Sequence, residues 1–408
     1  MMYESAASSK GLALALFAVV TLAMAHDNLK IVTKGNNDFT MKVFNEISKK
    51  HPGNLIYSPI SVHTILSLLQ QGAEGQTAKV MSDVLQIPEL KTLSADGFQS
   101  LMSYLNGIQN VTLEIANKVY VKNDVTLKPS FSQIATNSFY SEAQALDFSQ
   151  SEAAAKAIND WVSLKTHDKI KDLISPDSLN DLTRMVLVNA IYFKGDWANQ
   201  FDKKFTTKDK FYTSKDNFVE VDMMHKTDNY KYGNNKQLDA KIIQLPYKNE
   251  DVNMVVILPN KIDGIDELQQ KLTNYDLSKL TEGLYNTDVI LSLPKFKIES
   301  TIDLNDPLKM VGLESLFLHP NLTGLLEGNE NLKVSDVIQK AFIEVNEEGA
   351  EAAAATVILV IGTTSVGNHP ELPRFYADHP FLYYINVKIN DTANSVTFFG
   401  RFSGFIKP

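Results

Sequence analysis

The sequence contains no cysteine, which excludes disulfide bonds, thiol catalysis, zinc ribbons and iron–sulfur clusters. It also lacks an excess of positive charge, because 39 Lys and Arg stand against 48 Asp and Glu, a formal net charge of −9. A general nucleic-acid-binding protein is therefore not expected. Glycine (19 residues) and proline (14 residues) are too scarce for a collagen-like or low-complexity chain. The 408 residues are enough to form a hydrophobic core without crosslinks.

Long apolar runs are also scarce, and the one that exists lies near the N-terminus. Residues 11–25 read GLALALFAVVTLAMA, which is shorter than the roughly 20 residues of a membrane-spanning helix. Lys10 precedes this run and Ala23-Met24-Ala25 ends it, a pattern typical of a cleaved secretory signal. A membrane anchor or a buried helix is the alternative. We therefore expect a signal peptide over 1–25 and one secreted, extracellular domain over 26–408, with no membrane association. In a secreted chain, three sequons are candidates for N-glycosylation: Asn110, Asn321 and Asn390.

Apolar residues recur at helical spacing in the first half of the chain and in strand-like runs in the second. The spacing predicts a helix over 37–50, and Ser58-Pro59 is typical of the start of another, which ends at the turn 72–75. Residues 151–167 form an Ala-rich helical pattern, whereas 185–193 (MVLVNAIYF) is typical of a central strand buried on both faces. Further strands are predicted at 219–224, 240–246, 252–258, 288–298, 337–346, 381–389 and 395–402. The fold class is therefore α+β, with large, mainly antiparallel or mixed sheets.

We find no group of residues typical of catalysis or metal binding. The eight histidines form no H-E-x-x-H or H-x-E pair, and no G-x-S-x-G motif occurs. Residues 72–77 resemble a phosphate loop but lack the Lys before Thr77, so we interpret them as a helix–turn–helix connection. Glu347 and Glu348 would point to opposite faces of a strand, which indicates a charged loop base rather than an acid/base pair. We expect no enzyme activity, no cofactor and no metal. A small basic cluster indicates a solvated strand edge more than a polyanion site: Lys203, Lys204, Lys208 and Lys210.

Residues 347–373 (EEGAEAAAATVILVIGTTSVGNHPELP) combine helix-forming residues with a β-branched run, which is unusual for a loop. A helix that continues into a core strand is one interpretation. If the segment is a strand instead, one of its faces is uncharged and begins with small side chains: Ala350, Ala352, Ala354, Thr356, Ile358 and Val360. Such a face can enter between two existing strands, and Gly349 supplies backbone freedom at its base. The sequence is therefore compatible with two states, an exposed loop and an inserted strand.

Several motifs in a fixed order make the chain resemble the serpin family over 30–408. Residues 375–385 (FYADHPFLYYI) fit the family signature, and 347–356 (EEGAEAAAAT) resemble the hinge of an inhibitory member. The other matching motifs are 54–61 (NLIYSPIS), Gly72-Ala73 with Thr77, 189–197 (NAIYFKGDW) and 293–296 (LPKF). The pattern is most similar to that of secreted inhibitory serpins of insects. The resemblance implies an α+β serpin fold with three β-sheets, one of them large and central, about nine helices and an exposed reactive centre loop over about 347–373.

The resemblance also implies a function. In inhibitory serpins, a peptidase cleaves the loop and forms a covalent acyl-enzyme, and it is trapped when the loop inserts as a strand into the central sheet. The hinge residues implied here are Glu347, Gly349, Ala350, Ala352, Ala354 and Thr356. The implied sheet-opening cluster is Ser58, Ser61, Asn189 and Gln339, with Trp197 at the top of the sheet where insertion begins. Gln339 stands where the family typically has His; it can hydrogen-bond but does not titrate. A monomer that forms a covalent complex with its target peptidase is expected.

Two counts along the loop locate the scissile bond differently. The count from Glu347 gives Thr363–Thr364, which we favour, whereas the count back from Pro373 and Pro380 gives a bond nearer Gly367–Asn368. The counts disagree because the loop is longer than usual. No Lys or Arg lies within 350–373, so a trypsin-like target is not expected. The small and branched side chains favour an elastase-like serine peptidase or a papain-like cysteine peptidase.

Two other functions are alternatives to inhibition. A non-inhibitory serpin would act as a binding, carrier or storage protein. Such proteins tend to carry bulky or charged residues on the face that would be inserted, whereas this hinge has alanine at 350, 352 and 354. A hydrolase with unrecognised catalytic residues is the other alternative, and no group of residues supports it. The sequence therefore favours the inhibitor.

Overall fold

The structure is a computed structural model, and it describes residues 27–328, 332–349 and 371–404. The predicted signal peptide lies outside these residues, as do the hinge residues Ala350, Ala352, Ala354 and Thr356. Both candidate scissile bonds, Thr363–Thr364 and Gly367–Asn368, also lie outside them. The two ends of the predicted reactive loop, at Gly349 and at Glu371, are described.

Nine α-helices are present in the described residues. The first, α1, is helical over 27–48, and the second, α2, spans Pro59–Gly72. Ser58 caps α2, since its hydroxyl accepts a hydrogen bond from the Ser61 N–H, and Pro59 occupies the first turn. The remaining helices are α3 (Gly75–Leu85), α4 (Lys91–Gly107), α5 (Pro129–Phe139), α6 (Ser151–Lys165), α7 (Ile265–Leu272), α8 (Asn305–Leu308) and α9 (Ser315–Leu318).

Fourteen strands accompany these helices in the described part of the chain. In chain order they are β1 (Leu55–Tyr57), β2 (Val111–Lys122), β3 (Glu142–Leu146), β4 (Met185–Gly195), β5 (Thr206–Tyr212), β6 (Phe218–Asn235), β7 (Ala240–Pro246), β8 (Val252–Pro259), β9 (Tyr285–Pro294), β10 (Phe296–Asp303), β11 (Asp336–Val345), β12 (Arg374–Tyr376), β13 (Phe381–Asn390) and β14 (Ala393–Phe402). They form two hydrogen-bonded sheets.

The smaller sheet has five strands in the order β10-β11-β4-β2-β3. Its pairs alternate in direction: β10–β11 and β2–β4 are antiparallel, whereas β11–β4 and β2–β3 are parallel. Helix α6 covers one face through a cluster that includes Ile158, Val162 and Val188. The entirely buried helix α2 contacts β2 and β4 of this sheet.

The larger sheet has nine strands, with β1-β14-β13-β8-β7-β6-β9-β12 in order and β5 paired to β6. The 18-residue strand β6 carries β5 along its first part and β7 along its last part, while β9 pairs along Met223–Tyr232. Because β5, β7 and β9 all pair with β6, the strands at both ends of β6 belong to one hydrogen-bonded sheet. For this reason, the three sheets implied by the family resemblance appear here as two hydrogen-bonded sheets.

The sequence patterns located most of the long elements. The helix predicted over 37–50 is part of α1, and the turn predicted at 72–75 separates α2 from α3. The buried central strand predicted over 185–193 is β4, in which every residue except Lys194 is buried. The strand predicted over 288–298 is wrong in its extent, because β9 ends at Pro294 and β10 begins at Phe296. Proline lacks the N–H that a continuous central strand requires, so the chain changes sheets at this point.

Candidate functional site

The described start of the predicted reactive loop is a tight turn over residues 346–349, directly after β11. The Asn346 side-chain oxygen accepts a hydrogen bond from the Glu348 N–H at 3.0 Å, and the Asn346 carbonyl accepts one from the Gly349 N–H at 3.2 Å. The segment after β4 also holds this turn, because the Phe201 N–H donates a hydrogen bond to the Glu347 carbonyl at 2.9 Å. The turn therefore has a defined shape before the loop leaves the sheet.

Glu347 has its carboxylate inside the protein and only 3% of its surface exposed. The Lys295 ammonium lies 2.9 and 3.0 Å from the two carboxylate oxygens, and the Thr206 hydroxyl donates to one of them at 2.8 Å. Burial would raise the pKa of this carboxyl, but the hydrogen bonds from Lys295, its own backbone N–H and Thr206 outweigh burial and lower the pKa. Glu347 is therefore held as a carboxylate that ties the end of β11 to β5 and to the β9–β10 junction.

Glu348 points away from Glu347, as expected for neighbours in an extended chain. Its carboxylate forms an ion pair with Lys203, and its carbonyl accepts hydrogen bonds from the Trp197 N–H at 3.2 Å and the Gln200 side chain at 3.2 Å. The predicted charged loop base is therefore confirmed, with one carboxylate buried and one near the surface.

Trp197 lies against this turn at the end of β4. Its indole N–H donates to the Asn346 carbonyl at 2.9 Å, and its ring stacks on Tyr247 with centroids 4.5 Å apart. Phe201 also packs against the indole, edge-on, with ring centroids 6.3 Å apart. The indole is 2% exposed, so the start of the loop rests on a packed aromatic group. The structure places Trp197 at this end of the sheet and not with the Ser58 group, since about 20 Å of strand separates Asn189 from Gly195.

Gly349 has a backbone conformation that favours glycine. Its φ is +81°, and a Cβ atom at this position would lie 2.3 Å from the Trp197 nitrogen and 2.4 Å from the Gly195 carbonyl oxygen. A side chain is therefore excluded both by the backbone angle and by the contact with β4. The backbone freedom expected at Gly349 is therefore used for a left-handed turn that contacts the end of β4.

The strands β4 and β11 meet as parallel neighbours, and we call this junction the seam. Asn189 of β4 is opposite Gln339 of β11, and Tyr192 is opposite Phe342. Above these aromatic residues a cleft of about 310 Å³ opens, with Glu348 and Gly349 in its lining. The end of β11 and the first residues of the loop therefore line a cleft beside the closed seam.

A buried polar network lies under the middle of the seam, between β4, β11 and the start of α2. The Ser58 N–H donates to Gln339 Oε1 at 2.8 Å, Gln339 Nε2 donates to the Ser58 carbonyl at 3.0 Å, and Gln339 also bonds the Asn189 side chain. Asn189 Nδ2 donates to the Ser61 hydroxyl at 2.5 Å. All four of these residues are fully buried, so the structure brings together the residues that the family resemblance grouped.

The network contains a fifth residue that the sequence reasoning missed. Asn117 of β2 accepts hydrogen bonds from the Ser61 hydroxyl at 2.9 Å and from the Asn189 amide. The signal that could have found it is a lone asparagine within the otherwise strand-like run 111–122. Asn117 extends the polar group from the seam to the next strand.

Helix α6 and the chain after it cover the opposite face of the seam. Glu142 of β3 accepts hydrogen bonds from Trp161 and Lys165 of α6 and forms an ion pair with Lys118 of β2. Burial would raise the pKa of the Glu142 carboxyl, but these three donors lower it to about 2. On the other side of the seam, the Lys340 ammonium of β11 donates to the carbonyl of Lys171 at 2.5 Å. Helix α6 is therefore tied to the β2–β3 side of the seam, and the segment that follows it is tied to β11. Separation of β4 from β11 must either break the Lys340–Lys171 contact or displace this segment.

Three residues on neighbouring strands resemble a hydrolase triad that the sequence reasoning did not identify. The Ser292 hydroxyl lies 2.9 Å from His225 Nδ1, and His225 Nε2 lies 3.2 Å from an Asp209 carboxylate oxygen. Ser292 is only 5% exposed, and its carbonyl already accepts the Ala377 N–H within the sheet. A substrate cannot reach this hydroxyl, so the group links strands rather than carrying out catalysis.

The remaining candidates lie on the surface of the described chain. Asn110 and Asn321 are exposed, and Asn390 is half-buried at the end of β13. In the basic cluster, Lys203 pairs with Glu348, Lys208 with Asp222 at 2.9 Å, and Lys210 lies 4.3 Å over the Phe218 ring. Lys208 and Lys210 lie on β5, which pairs only with β6 in the described residues, so the predicted strand edge holds for these two. Lys203 and Lys204 instead precede β5 in a short 3-10 turn.

Comparison with known proteins places this geometry in a family. The model of the family described as serpin (serine protease inhibitor) matches residues 34–404. The chain belongs to the serpin family. Antichymotrypsin-2 of Bombyx mori is 41% identical to this serpin over 88% of this chain and 96% of its own length. Antitrypsin of the same organism is also 41% identical, over 91% of this chain and 95% of its own. The crystal structure of Serpin48 from Tenebrio molitor, described as a highly specific serpin, has a TM-score of 0.83 at 35% identity, covering 92% of this chain and 98% of that one.

The family assignment confirms the predicted serpin fold and the similarity to insect serpins. The relatives are named as inhibitors of proteases and not as enzymes, so this serpin is a member of a protease inhibitor family rather than a peptidase. Among the residues that the structure describes, no three His, Asp or Glu side chains form a group able to hold a metal ion. Within the same ranges, no helix has the length and hydropathy needed to cross a membrane.

Proposed function

We propose that the mature chain is a secreted inhibitory serpin that traps a peptidase through its reactive loop. The peptidase nucleophile attacks the carbonyl of the scissile bond, the amine of the following residue leaves, and the loop remains bound as an acyl-enzyme. The freed loop then enters the seam as a new strand and carries the bound peptidase along the sheet. Distortion of the peptidase active site stops hydrolysis of the acyl bond.

The observation that carries this proposal is the parallel pairing of β4 with β11. A strand that turns back at Gly349 and runs down the seam would be antiparallel to β11, and it would also be antiparallel to β4. One insertion therefore replaces a single parallel pair with two antiparallel pairs, which are slightly more stable per residue. The left-handed turn at Gly349 and the cleft beneath it support entry at this end.

The composition of the loop supports an elastase-like serine peptidase or a papain-like cysteine peptidase as the target. The absence of Lys and Arg within 350–373 argues against cleavage by a trypsin-like enzyme in the loop. We propose Thr363–Thr364 as the scissile bond and Gly367–Asn368 as the alternative. The two Bombyx relatives carry names that refer to different proteases, so the residues of this loop are the better guide to its target.

We also propose that residues 1–25 are a signal peptide that directs secretion. Residues 26–408 then form the mature inhibitor. The three sequons at the surface, Asn110, Asn321 and Asn390, are then available for glycosylation. The active form is a monomer that needs no cofactor, and its partner is the trapped peptidase.

The test is to mix the mature chain with pancreatic elastase, and separately with papain and trypsin, and to analyse the products on a denaturing gel. A band at the summed mass of elastase or papain with the cleaved serpin is the expected result, with little complex for trypsin. Mass spectrometry of the released C-terminal fragment should give Thr364 as its first residue. Cleavage without complex, combined with no rise in the melting temperature of the cleaved chain, would contradict the trap and favour a carrier or storage role.

A further inference from the structure

The two described ends of the predicted reactive loop are attached to opposite edges of one part of the larger sheet. At its start, the Thr206 hydroxyl of β5 donates a hydrogen bond to the Glu347 carboxylate at 2.8 Å. At its other end, Arg374, the first residue of β12, follows Pro373 directly. The strand order between these edges is β12-β9-β6-β5, and within the described ranges β12 pairs only with β9 and β5 only with β6. Four strands are about 14 Å across, so a protein that binds the loop also comes close to this part of the sheet.

One face of β12, β9 and β6 is partly open to solvent. In β12, Arg374 and Tyr376 are exposed and Phe375 between them is buried, so the two exposed side chains lie on the same face. Residues directly opposite one another on neighbouring strands share a face. The residues in register with Arg374 and Tyr376 are Ile290 and Ser292 of β9 and Thr227 and His225 of β6. We call this set, with Arg374 and Tyr376, the outer face.

The two β12 side chains of the outer face are of the types that dominate protein–protein contacts. Tyr376 is 40% exposed. The Arg374 side chain is 53% exposed, and its guanidinium pairs at 2.9 Å with Glu371, which is 78% exposed. A pair this exposed adds little to the stability of the fold. Tyrosine and arginine are enriched among the residues that carry most of the binding energy of an interface, so both side chains have free surface suited to a partner.

The charged groups of this region face one another. His225 Nε2 lies 3.2 Å from an Asp209 carboxylate oxygen, and Arg374 pairs with Glu371. The outer face therefore presents no row of like charges that would favour a polyanion such as a nucleic acid. A folded protein that covers an aromatic ring and supplies a hydrogen-bond acceptor to a guanidinium fits it better.

We propose that the outer face is a second contact surface for the target peptidase, with Tyr376 and Arg374 as its main contact residues. The proposal rests on the proposed function, because the peptidase reaches this face by binding the loop. Peptidase–inhibitor interfaces bury about 800 Å² on each partner, and contacts beside the loop add to the area that the loop provides. The matching surface of the peptidase carries an apolar patch for Tyr376 and a carboxylate or carbonyl oxygen for Arg374.

The first test is hydroxyl-radical footprinting of the natural mature chain, alone and with pancreatic elastase whose catalytic serine is replaced by alanine. This elastase binds a loop without forming an acyl-enzyme. The matched control is Tyr285, which is 58% exposed at the start of β9 and about 23 Å along that strand from Ser292. Oxidation of Tyr376, measured by mass spectrometry, should fall several-fold on binding while that of Tyr285 stays unchanged. Equal oxidation of Tyr376 with and without bound elastase would overturn the proposal.

The second test is the dissociation constant of the inactive elastase for three variants, each checked for an unchanged melting temperature. Tyr376→Thr keeps a residue suited to a strand and should weaken binding about tenfold, as loss of a central aromatic contact does. Arg374→Gln should also weaken binding, whereas Tyr285→Thr should leave it unchanged. Natural affinity in both folded β12 variants would overturn the proposal, as would the absence of any binding by the natural chain.

Active elastase, used in parallel, separates this proposal from the proposed function. Cleavage of the natural chain without a covalent complex would contradict the trap. A loss of affinity for inactive elastase in Tyr376→Thr would still support the contact surface, because that measurement involves no acylation and no insertion.

Discussion

The Glu347 carboxylate and the Lys295 ammonium lie 2.9 Å apart at the point where the reactive loop leaves β11. Lys295 is the residue between β9 and β10, so this pair joins the start of the loop to the junction between the two sheets. The carboxylate is almost fully buried, whereas the lysine side chain is 35% exposed. The turn at 346–349, where the predicted loop begins, is therefore held by a charge pair as well as by backbone hydrogen bonds.

We predict that Glu347→Gln destabilises the native fold by about 1–3 kcal/mol, because it removes a charge-assisted hydrogen bond from a buried site. The measurement is equilibrium or thermal unfolding at pH 7. Since the pKa of Glu347 is lowered, its contribution is present above the usual carboxyl pKa and is lost as the pH falls through the folded value. Glu347→Gln should therefore flatten the stability profile in acid. Lys203→Met, which breaks the more exposed pair with Glu348, is the control and should have a smaller effect; equal effects would contradict the account.

A second prediction separates backbone strain from contact at Gly349. Gly349→Ala should prevent the native turn, because a Cβ atom meets the backbone of Trp197 and of Gly195. Gly283→Ala is the matched control, since Gly283 has a φ of +78° but no atom within 4 Å of the position that a Cβ atom would take. We expect about 1 kcal/mol of destabilisation at Gly283 from strain and clearly more at Gly349. Thermal unfolding of both variants provides the comparison, and equal losses would show that the contact with β4 has no effect.

A third prediction concerns the polar network under the seam. Asn189→Ala removes partners from Ser61, Asn117 and Gln339, which are buried, and should cost about 1–3 kcal/mol. The control is Asn286→Ala on β9, where the asparagine is exposed and the change should be close to neutral. Chemical denaturation of both variants tests this. A neutral effect of Asn189→Ala would mean that the network does not stabilise the closed seam.

The fourth prediction is a pH dependence from His63 of α2. Its ring is fully buried, with centroids 5.5 Å from Phe39 and 5.5 Å from Phe98, and Nε2 bonds the Leu85 carbonyl at 2.7 Å. Burial lowers the pKa of His63 from 6.5 to about 4. Between these values the unfolded chain binds more protons, so stability should fall by about 3 kcal/mol in total as the pH falls from 6.5 to 4. His63→Gln should remove this part of the slope; an unchanged slope would show that His63 is not its source.

The predictable parts of the fold were those with strong local patterns. The uninterrupted apolar run of β4 and the Ser58-Pro59 start of α2 identify their elements without tertiary information. The separation of β9 from β10 was not predicted, because the apolar alternation continues on both sides of Pro294 and the change of sheet is a tertiary feature. The strand β2 was also overlooked, although its pairing with β4 forms the middle of the smaller sheet.

In the candidate site, too, some residues could be predicted from the sequence and others depend on tertiary contacts. The family resemblance grouped Ser58, Ser61, Asn189 and Gln339, and the structure brings them into one network. Residue types and spacing could not reveal Lys295 or Lys340, because each acts through a contact with a residue that is distant in the sequence.

The central claim is that the loop enters between β4 and β11, and a reversible crosslink across the seam tests it most directly. Tyr192→Cys with Phe342→Cys places two cysteines at paired positions in a chain that has no other cysteine. Neighbouring strands lie about 4.8 Å apart, within the range that a disulfide spans. The control crosslink, Thr112→Cys with Lys194→Cys, joins β2 to β4, which insertion does not separate. We predict that the oxidised seam variant is cleaved by elastase without forming a covalent complex and that reduction restores the complex, while the control variant forms it in both states. A covalent complex formed by the oxidised seam variant would contradict insertion between these strands.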